Sequence, residues 1–224
     1  MKVFAIIPSG GTGMRMDNPI PKQYIRIGGK EIIAYTLDVF QKCDLIDEII
    51  IPAQKNYFEL LESIKVKYSF SKLTKIVEGG EERQNSVFRA LKSINCNNDD
   101  LIVVHDAVRP LLPLDILVNA IDSAKTTGSA VVAIKAKDTL IKVKESSISY
   151  VDRKDVYYVQ TPQIFRYKIL LDAFKKAEEE NFVGTDESIL VHLAGYTVNI
   201  VNGSSINLKI TDADDLLTFE QITR

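Results

Sequence analysis

Glycines at 10, 11 and 13, with Arg15 and Lys22 close behind them, are the residue types that hold phosphate oxygens. Without a Cβ, a glycine lets backbone N–H groups approach an anion that a side chain would obstruct, and the two cations supply charge. They follow the apolar run Val3 to Ile7, in Pro8-Ser9-Gly10-Gly11-Thr12-Gly13-Met14-Arg15-Met16, and lead to Pro21-Lys22-Gln23-Tyr24. Pro19 and Pro21 fix the path between the cations, which suits a lysine held over a phosphate. The spacing is not that of a P-loop, G-x-x-x-x-G-K-[ST], nor that of the dinucleotide fingerprint, with its third glycine and later acidic residue. Taken alone, a glycine turn after a strand reads equally well as a tight turn, and one lysine as a solvated surface charge.

Further candidates gather where apolar runs end. Gly79-Gly80 closes the run 74–77 and leads to Arg83 and Ser86, while His105-Asp106-Ala107-Val108-Arg109-Pro110 closes 101–104 and Asp138-Thr139 follows 130–135. Asp106, directly after a strand, is placed to meet a metal or substrate hydroxyls, with Arg109 in the turn that follows. Each has a plainer reading. An exposed Asp106–Arg109 pair is worth about 0–1 kcal/mol, Ser86 suits a helix N-terminus, and Arg83 reads as a charge on the first turn of that helix. His105, on the strand side of its motif, reads as a hydrogen-bonded structural histidine rather than a general base. His192 lies in an amphipathic segment with no evident partner. Asp212, Asp214 and Asp215 are explained by helix capping and dipole complementarity before any metal cluster.

The elements that must position these residues alternate. Strand-like runs at 3–7, 47–53, 74–77, 101–104 and 130–135 are separated by helical periodicity at 31–41, 57–67, 84–94 and 114–126. That rhythm predicts an α/β fold, a mostly parallel sheet with helices on both faces and ligands at the carboxyl ends of the strands. Four strand ends, after 7, 77, 104 and 135, are expected to converge on one cleft. Beyond 138 the rhythm breaks into short strand-like runs at 139–143, 148–151 and 156–159, with Lys144-Glu145-Ser146-Ser147 as a turn. Residues 139–160 read as a protruding β-arm, too small to be stable alone and packed on a partner subunit or on the main sheet. Helices resume at 167–180 and 186–194, a last strand spans 197–201, and a closing helix begins near 213, capped by Asp212.

With 224 residues, 46% of them hydrophobic, the chain can bury a full core as one domain over 1–224. A net charge of -2 argues against a nucleic-acid partner, whose footprint is a basic excess. Cys43 and Cys96 lie far apart without C-x-x-C spacing, as expected of reduced thiols in a cytoplasmic protein. The chain enters a strand straight after Met1-Lys2, so no signal peptide is expected. No apolar run approaches the roughly 18 residues of a bilayer span, so no membrane association is expected either.

Together the motifs resemble the sugar-phosphate nucleotidyltransferases, and among them the 2-C-methyl-D-erythritol 4-phosphate cytidylyltransferases. The ordered set runs from the glycine segment and P-K-Q-Y through Gly79-Gly80-x-x-Arg83-x-x-Ser86-Val87, Val104 to Pro110, and Asp138-Thr139. It continues through Gln160-Thr161-Pro162-Gln163-x-Phe165 and Thr185-Asp186-Glu187 to Asn207-x-Lys209-x-Thr211, covering nearly the whole chain. Ser9-Gly10 stands where the family usually has two alanines, and Val108 where it has one.

The resemblance implies a Rossmann-like nucleotidyltransferase fold with a protruding arm. It also implies transfer of a cytidylyl group from CTP to 2-C-methyl-D-erythritol 4-phosphate, releasing pyrophosphate. By the same resemblance Arg15, Lys22, Lys209 and Arg153 are catalytic, and CTP meets Pro8, Ser9, Gly10, Gly11, Thr12, Gly13, Gly79, Gly80, Arg83 and Ser86. The acceptor meets Asp106, Ala107, Arg109, Thr139, Arg153, Thr161 and Lys209, and Asp106 also faces Mg²⁺. The arm is implied to cross a two-fold homodimer and complete the neighbour's pocket. The nearest alternative is a D-ribitol 5-phosphate cytidylyltransferase, which differs in the acceptor pocket alone. A non-catalytic nucleotide-binding module would lack the cations Arg15, Lys22 and Lys209, and a dehydrogenase would have the third glycine.

Overall fold

A computed structural model describes residues 1–11, 20–145 and 147–223. The first half contains β1 (Val3–Ile6), β2 (Arg26–Ile27), β3 (Lys30–Glu31), α1 (Ile32–Lys42), β4 (Glu48–Ala53), α2 (Phe58–Lys67), β5 (Leu73–Glu78), α3 (Arg83–Ser93) and β6 (Leu101–Val104). Then follow α4 (Leu114–Thr127), β7 (Ser129–Lys135), β8 (Leu140–Lys144), β9 (Ser147–Val151), β10 (Tyr157–Arg166), α5 (Tyr167–Glu179), α6 (Glu187–Leu193), β11 (Ile200–Asn202) and α7 (Ala213–Thr223).

Seven strands form one sheet in the order β11-β7-β10-β6-β1-β4-β5, parallel except where β10 runs antiparallel to β6 and β7. Strand periodicity assigns the two cores. Val3 and Ala5 of β1, Ile49 and Ile51 of β4, and Leu101 and Val103 of β6 face one layer, built with α1, α2 and α4. The alternate residues Phe4, Ile6, Ile50, Ile102 and Val104 face the other, built with α3, α5 and α6. Both faces are covered, so these strands are apolar almost without interruption. The mostly parallel, two-faced sheet agrees with the expected fold class.

The arm differs from expectation in one respect. β8 and β9 pair as a hairpin, Leu140 against Val151 through Lys144 against Ser147. The run 156–159 does not belong with them, because it opens the ten-residue β10, which enters the main sheet between β6 and β7. Polar Gln160, Thr161 and Gln163 concealed that strand from a reading based on apolar runs. All three are buried. The last strand, by contrast, is shorter than the expected 197–201 and begins three residues later.

At the C-terminus Asp212 Oδ1 accepts the Asp215 amide at 3.0 Å, while Asp215 Oδ2 accepts the amides of Thr211 and Asp212 at 2.7 and 3.3 Å. This reciprocal cap confirms the capping role of Asp212. It starts α7 where Phe219 can pack with Ile32, Val108 and Ile210, which holds the preceding segment 207–211 against the sheet edge of the cleft. No described helix is long and apolar enough to cross a membrane.

Candidate active site

The carboxyl ends of β1, β5 and β6 open onto a cleft of about 420 Å³, with segment 207–211 along one side. Pro8, Ser9, Gly10, Gly11, Lys22, Gly80, Arg83, Ser86, Asp106, Ala107 and Lys209 line it, so most of the expected site is brought together. Its volume suits a small organic ligand. The expected fourth contribution, from the end of β7, does not reach the cleft. Thr139 and Arg153 lie at the foot of the hairpin, where Arg153 Nη1 donates to the Lys137 carbonyl, and neither lines the cleft of its own chain. Thr12, Gly13 and Arg15 lie outside the described residues.

The glycine segment is held by two side-chain amides. Gln23 Nε2 donates to the carbonyls of Ser9 and Gly11, each at 2.9 Å, and Gln54 Nε2 donates to that of Gly10 at 3.0 Å. In a trans peptide the C=O and the next N–H point in opposite directions. Fixing the carbonyls of Ser9 and Gly10 therefore turns the Gly10 amide away from Gln23 and the Gly11 amide away from Gln54. Neither amide has a hydrogen-bond partner among the described residues. Loop amides without an internal partner are available to an anion. In the sequence Gln23 stands out only within P-K-Q-Y and Gln54 in no motif, because neither bond is visible without the fold.

The Ser9 departure has a physical account. Its hydroxyl donates to Tyr24 Oη at 2.9 Å, and Tyr24 stacks on Tyr57 at 4.5 Å between ring centroids. Burial pushes the Tyr24 phenol up to about 12, against the hydrogen bonds from Ser9 and Gln23. At Gly10 an added Cβ would stand 3.5 Å from Ser86 Oγ, an ordinary contact, so glycine is not sterically required there. Gly80 is different. A Cβ on it would lie 2.4 Å from that of Asn85, so the turn ahead of α3 closes only with glycine. Ser86 Oγ takes the Gly80 amide at 3.0 Å and Gly79 bonds to Ala53 of β4, which fixes this turn at the cleft wall. Gly79 itself does not line the cleft.

Asp106 is the electrostatic centre. It is only 7% exposed. Oδ1 lies 3.3 Å from Arg83, while Oδ2 lies 3.0 Å from Lys209 Nζ and 3.4 Å from Arg109 Nε. Burial works against the charged carboxylate, but Arg83, Lys209 and Arg109 outweigh it and hold the carboxyl well below the usual range. Arg83 is no isolated surface charge, for its Nη1 also meets Glu187 at 2.6 Å. Burial opposes its charge too, yet Glu187 and Asp106 keep it firmly protonated. Lys22 Nζ donates to the Ile210 carbonyl at 2.7 Å, and Arg109 Nη1 to that of Asn207 at 2.7 Å, tying both cations to the segment that carries Lys209.

Behind Asp106 runs a chain of bonds that fixes one tautomer. A carbonyl only accepts, so His105 Nε2 carries the proton given to the Arg109 carbonyl at 3.2 Å. Nδ1 then accepts from the Thr161 hydroxyl at 3.0 Å, and the same oxygen accepts the Asp106 amide at 3.1 Å. Burial pushes the imidazole down to about 4. His105 is the structural histidine expected. Thr161, expected at the acceptor, stands behind Asp106 with its hydroxyl engaged and does not line the cleft.

Two of the cleft's features, a nucleotide-type loop and a carboxylate among three cations, have the order and spacing of the motif set. The family model for 2-C-methyl-D-erythritol 4-phosphate cytidylyltransferase matches residues 3–224. The chain belongs to this family. A curated member from Syntrophus aciditrophicus is 41% identical over 98% of this chain and 94% of its own length. One from Geobacter metallireducens is also 41% identical, over 98% and 97%. Among solved structures, the 4-diphosphocytidyl-2C-methyl-D-erythritol synthase of Anaerococcus prevotii superposes with a TM-score of 0.87 at 29% identity, over 100% of this chain and 96% of that one. The 2-C-methyl-D-erythritol 4-phosphate cytidylyltransferase of Francisella tularensis gives 0.83 at 30% identity, over the full length of both chains. As a member of this family the chain is a nucleotidyltransferase with a Rossmann-like fold.

Proposed function

We propose that the chain acts as a single domain over 1–224. It transfers a cytidylyl group from CTP to 2-C-methyl-D-erythritol 4-phosphate, giving 4-diphosphocytidyl-2-C-methyl-D-erythritol and pyrophosphate. A phosphate oxygen of the acceptor attacks the α-phosphorus, a new P–O bond forms, and the bond to the β-phosphate breaks. Little covalent help is needed, because the charge that spreads over non-bridging and leaving oxygens asks chiefly for fixed cations and amides. The observation that carries the reading is the meeting, in one cleft, of Gly10 and Gly11, Lys22, and Asp106 with Arg83 and Lys209. The family match favours this acceptor over ribitol 5-phosphate.

In this reading Lys22 and Arg15 hold the triphosphate, the first loop with Gly80 and Ser86 surrounds the base, and Arg83 lines the same wall. Asp106, Ala107 and Lys209 meet the acceptor; Arg109, expected there but absent from the cleft lining and bonded to Asp106 and the Asn207 carbonyl, places Asp106 together with Thr161. Among the described residues no group of three or more His, Cys, Asp or Glu is arranged to hold a metal alone. Both oxygens of Asp106 already face Arg83, Lys209 and Arg109, so it does not fit as a metal ligand in this arrangement, and Mg²⁺ is expected to arrive on the CTP phosphates. Bound there, it would neutralise phosphate charge.

The hairpin supports a homodimer. Ile141, Val143, Ile148 and Tyr150 are 52–78% exposed, an apolar surface that a lone two-stranded ribbon cannot bury. Placed on a partner subunit, the arm would bring Thr139 and Arg153 to the neighbour's acceptor site. We assign the enzyme to the cytoplasm, consistent with its free cysteines.

The test is pyrophosphate release from CTP and Mg²⁺ with each acceptor. Release is expected with 2-C-methyl-D-erythritol 4-phosphate and not with ribitol 5-phosphate. Preference for the latter overturns the acceptor assignment, and silence with both overturns the activity.

A further inference from the structure

Glu187 has no place in the chemistry above. It is 1% exposed, does not line the cleft, and begins α6, whose sequence motif Thr185-Asp186-Glu187 suggested no role. Its Oε1 receives Arg83 Nη1 at 2.6 Å, and its Oε2 has no hydrogen-bond partner among the described residues. A buried carboxylate spent on one guanidinium is a costly arrangement, and it is held in place with care. Asp186 accepts from the Ile189 amide at 3.0 Å and from Gln163 Nε2 of β10 at 3.0 Å, while Gln163 Oε1 takes the Ser188 amide at 2.8 Å. From the other side Gln84, next to Arg83, bonds the Phe182 carbonyl and the Gly184 amide at 3.0 and 2.8 Å. The start of α6 is thus fixed to both α3 and β10, with Glu187 at a set distance from Arg83.

The consequence lies at Asp106. Arg83 reaches Oδ1 through Nε and Nη2, each at 3.3 Å, while Lys209 and Arg109 occupy the side of Oδ2. Three cations therefore share two carboxylates. Were Glu187 neutral, Asp106 alone would face all three, and Arg83 would be released either to draw Asp106 from Lys209 or to turn into the cleft.

We propose that Glu187 is a positioning residue for the acceptor half of the site, acting through Arg83 to set the place of Asp106 and hence of Lys209. This rests on the assignment of Asp106 and Lys209 to the acceptor. The experiment compares wild type, Glu187→Gln, Arg83→Gln and the double variant in pyrophosphate release, with melting temperatures for each. The wild type must first turn over, which separates failure of the underlying reading from failure of this one. Glu187→Gln is expected to lower kcat/KM for the acceptor about tenfold or more, the scale seen when a partner that orients a functional ligand is lost. Part of that loss should appear as a raised KM for the acceptor, which a uniform loss of folded enzyme would leave unchanged. In the Arg83→Gln background the same substitution should cost nothing more, because its path runs through Arg83. Unchanged kinetics in Glu187→Gln, or losses that multiply in the double variant, overturn the proposal. If Glu187→Gln does not fold, Glu187→Asp carries the same test. It keeps the charge but withdraws it by one methylene, so a fall in acceptor kcat/KM at unchanged melting temperature supports the role and wild-type kinetics overturn it.

Discussion

Replacing Asp106 by asparagine keeps the side-chain shape and removes the one charge that holds three cations together. At separations of 3.0 to 3.4 Å from Lys209, Arg83 and Arg109, each attraction is on the order of 5 kcal/mol at an effective dielectric near 20. That sum is not the cost, because desolvation of the carboxylate and repulsion among the cations oppose it, and Lys209, 39% exposed, is partly screened. Removing one member of a buried ion group typically costs about 3–5 kcal/mol, since the remaining charges are left uncompensated. For a chain of this size that lowers the melting temperature by about 10 °C. The pH dependence has a fixed sign. A carboxyl held below its ordinary value stabilises the fold fully above its unfolded pKa near 4, and that contribution is lost as pH falls towards the folded value. The gap between wild type and Asp106→Asn should therefore be constant from about pH 8 to 5 and shrink below about pH 4. Thermal melts followed by circular dichroism across that range measure it directly. A melting temperature within about 2 °C of wild type at neutral pH, or a gap that widens in acid, refutes the reasoning.

Other expectations follow from the same contacts. Lys22→Ala should reduce pyrophosphate release at least about 100-fold, the loss expected of one preorganised charge-stabilising donor. His105 is held neutral by burial at about 4, below its unfolded value, so its contribution to stability is complete above about pH 6.5. That contribution, about 3 kcal/mol, is lost as pH falls towards 4. Urea unfolding should show a slope between pH 6.5 and 4.5 that flattens in His105→Gln; equal slopes would contradict the assignment. Ser9→Ala removes the hydroxyl on Tyr24 and should cost about 1 kcal/mol in chemical denaturation while leaving turnover within about threefold. Replacing the hairpin residues 140–151 by a short Gly-Ser loop should give a monomer in sedimentation experiments and abolish turnover, whereas a dimer of unchanged stability would remove the arm from the interface.

By itself the sequence determined the alternation of strands and helices, the two-faced cover of the sheet, and the loop, Asp106 and Lys209 as residues of one site. Those readings depend on local periodicity and on residue types at strand ends, which survive in any fold that buries the same faces, and for Lys209 on the family resemblance alone. Only the tertiary structure decided the rest. β10 escaped notice because Gln160, Thr161 and Gln163 interrupt its apolar pattern, and their burial makes sense only against partners distant in sequence. Gln160 Nε2 bonds the Ser204 carbonyl, Thr161 bonds His105, and Gln163 bonds Asp186. Gln54 behind the loop was hidden for the same reason, and so was the link from Glu187 to Arg83 across 104 positions of the chain. A hydrogen bond or ion pair between residues far apart leaves no period in the sequence. It exists only once the sheet has brought its strand ends together.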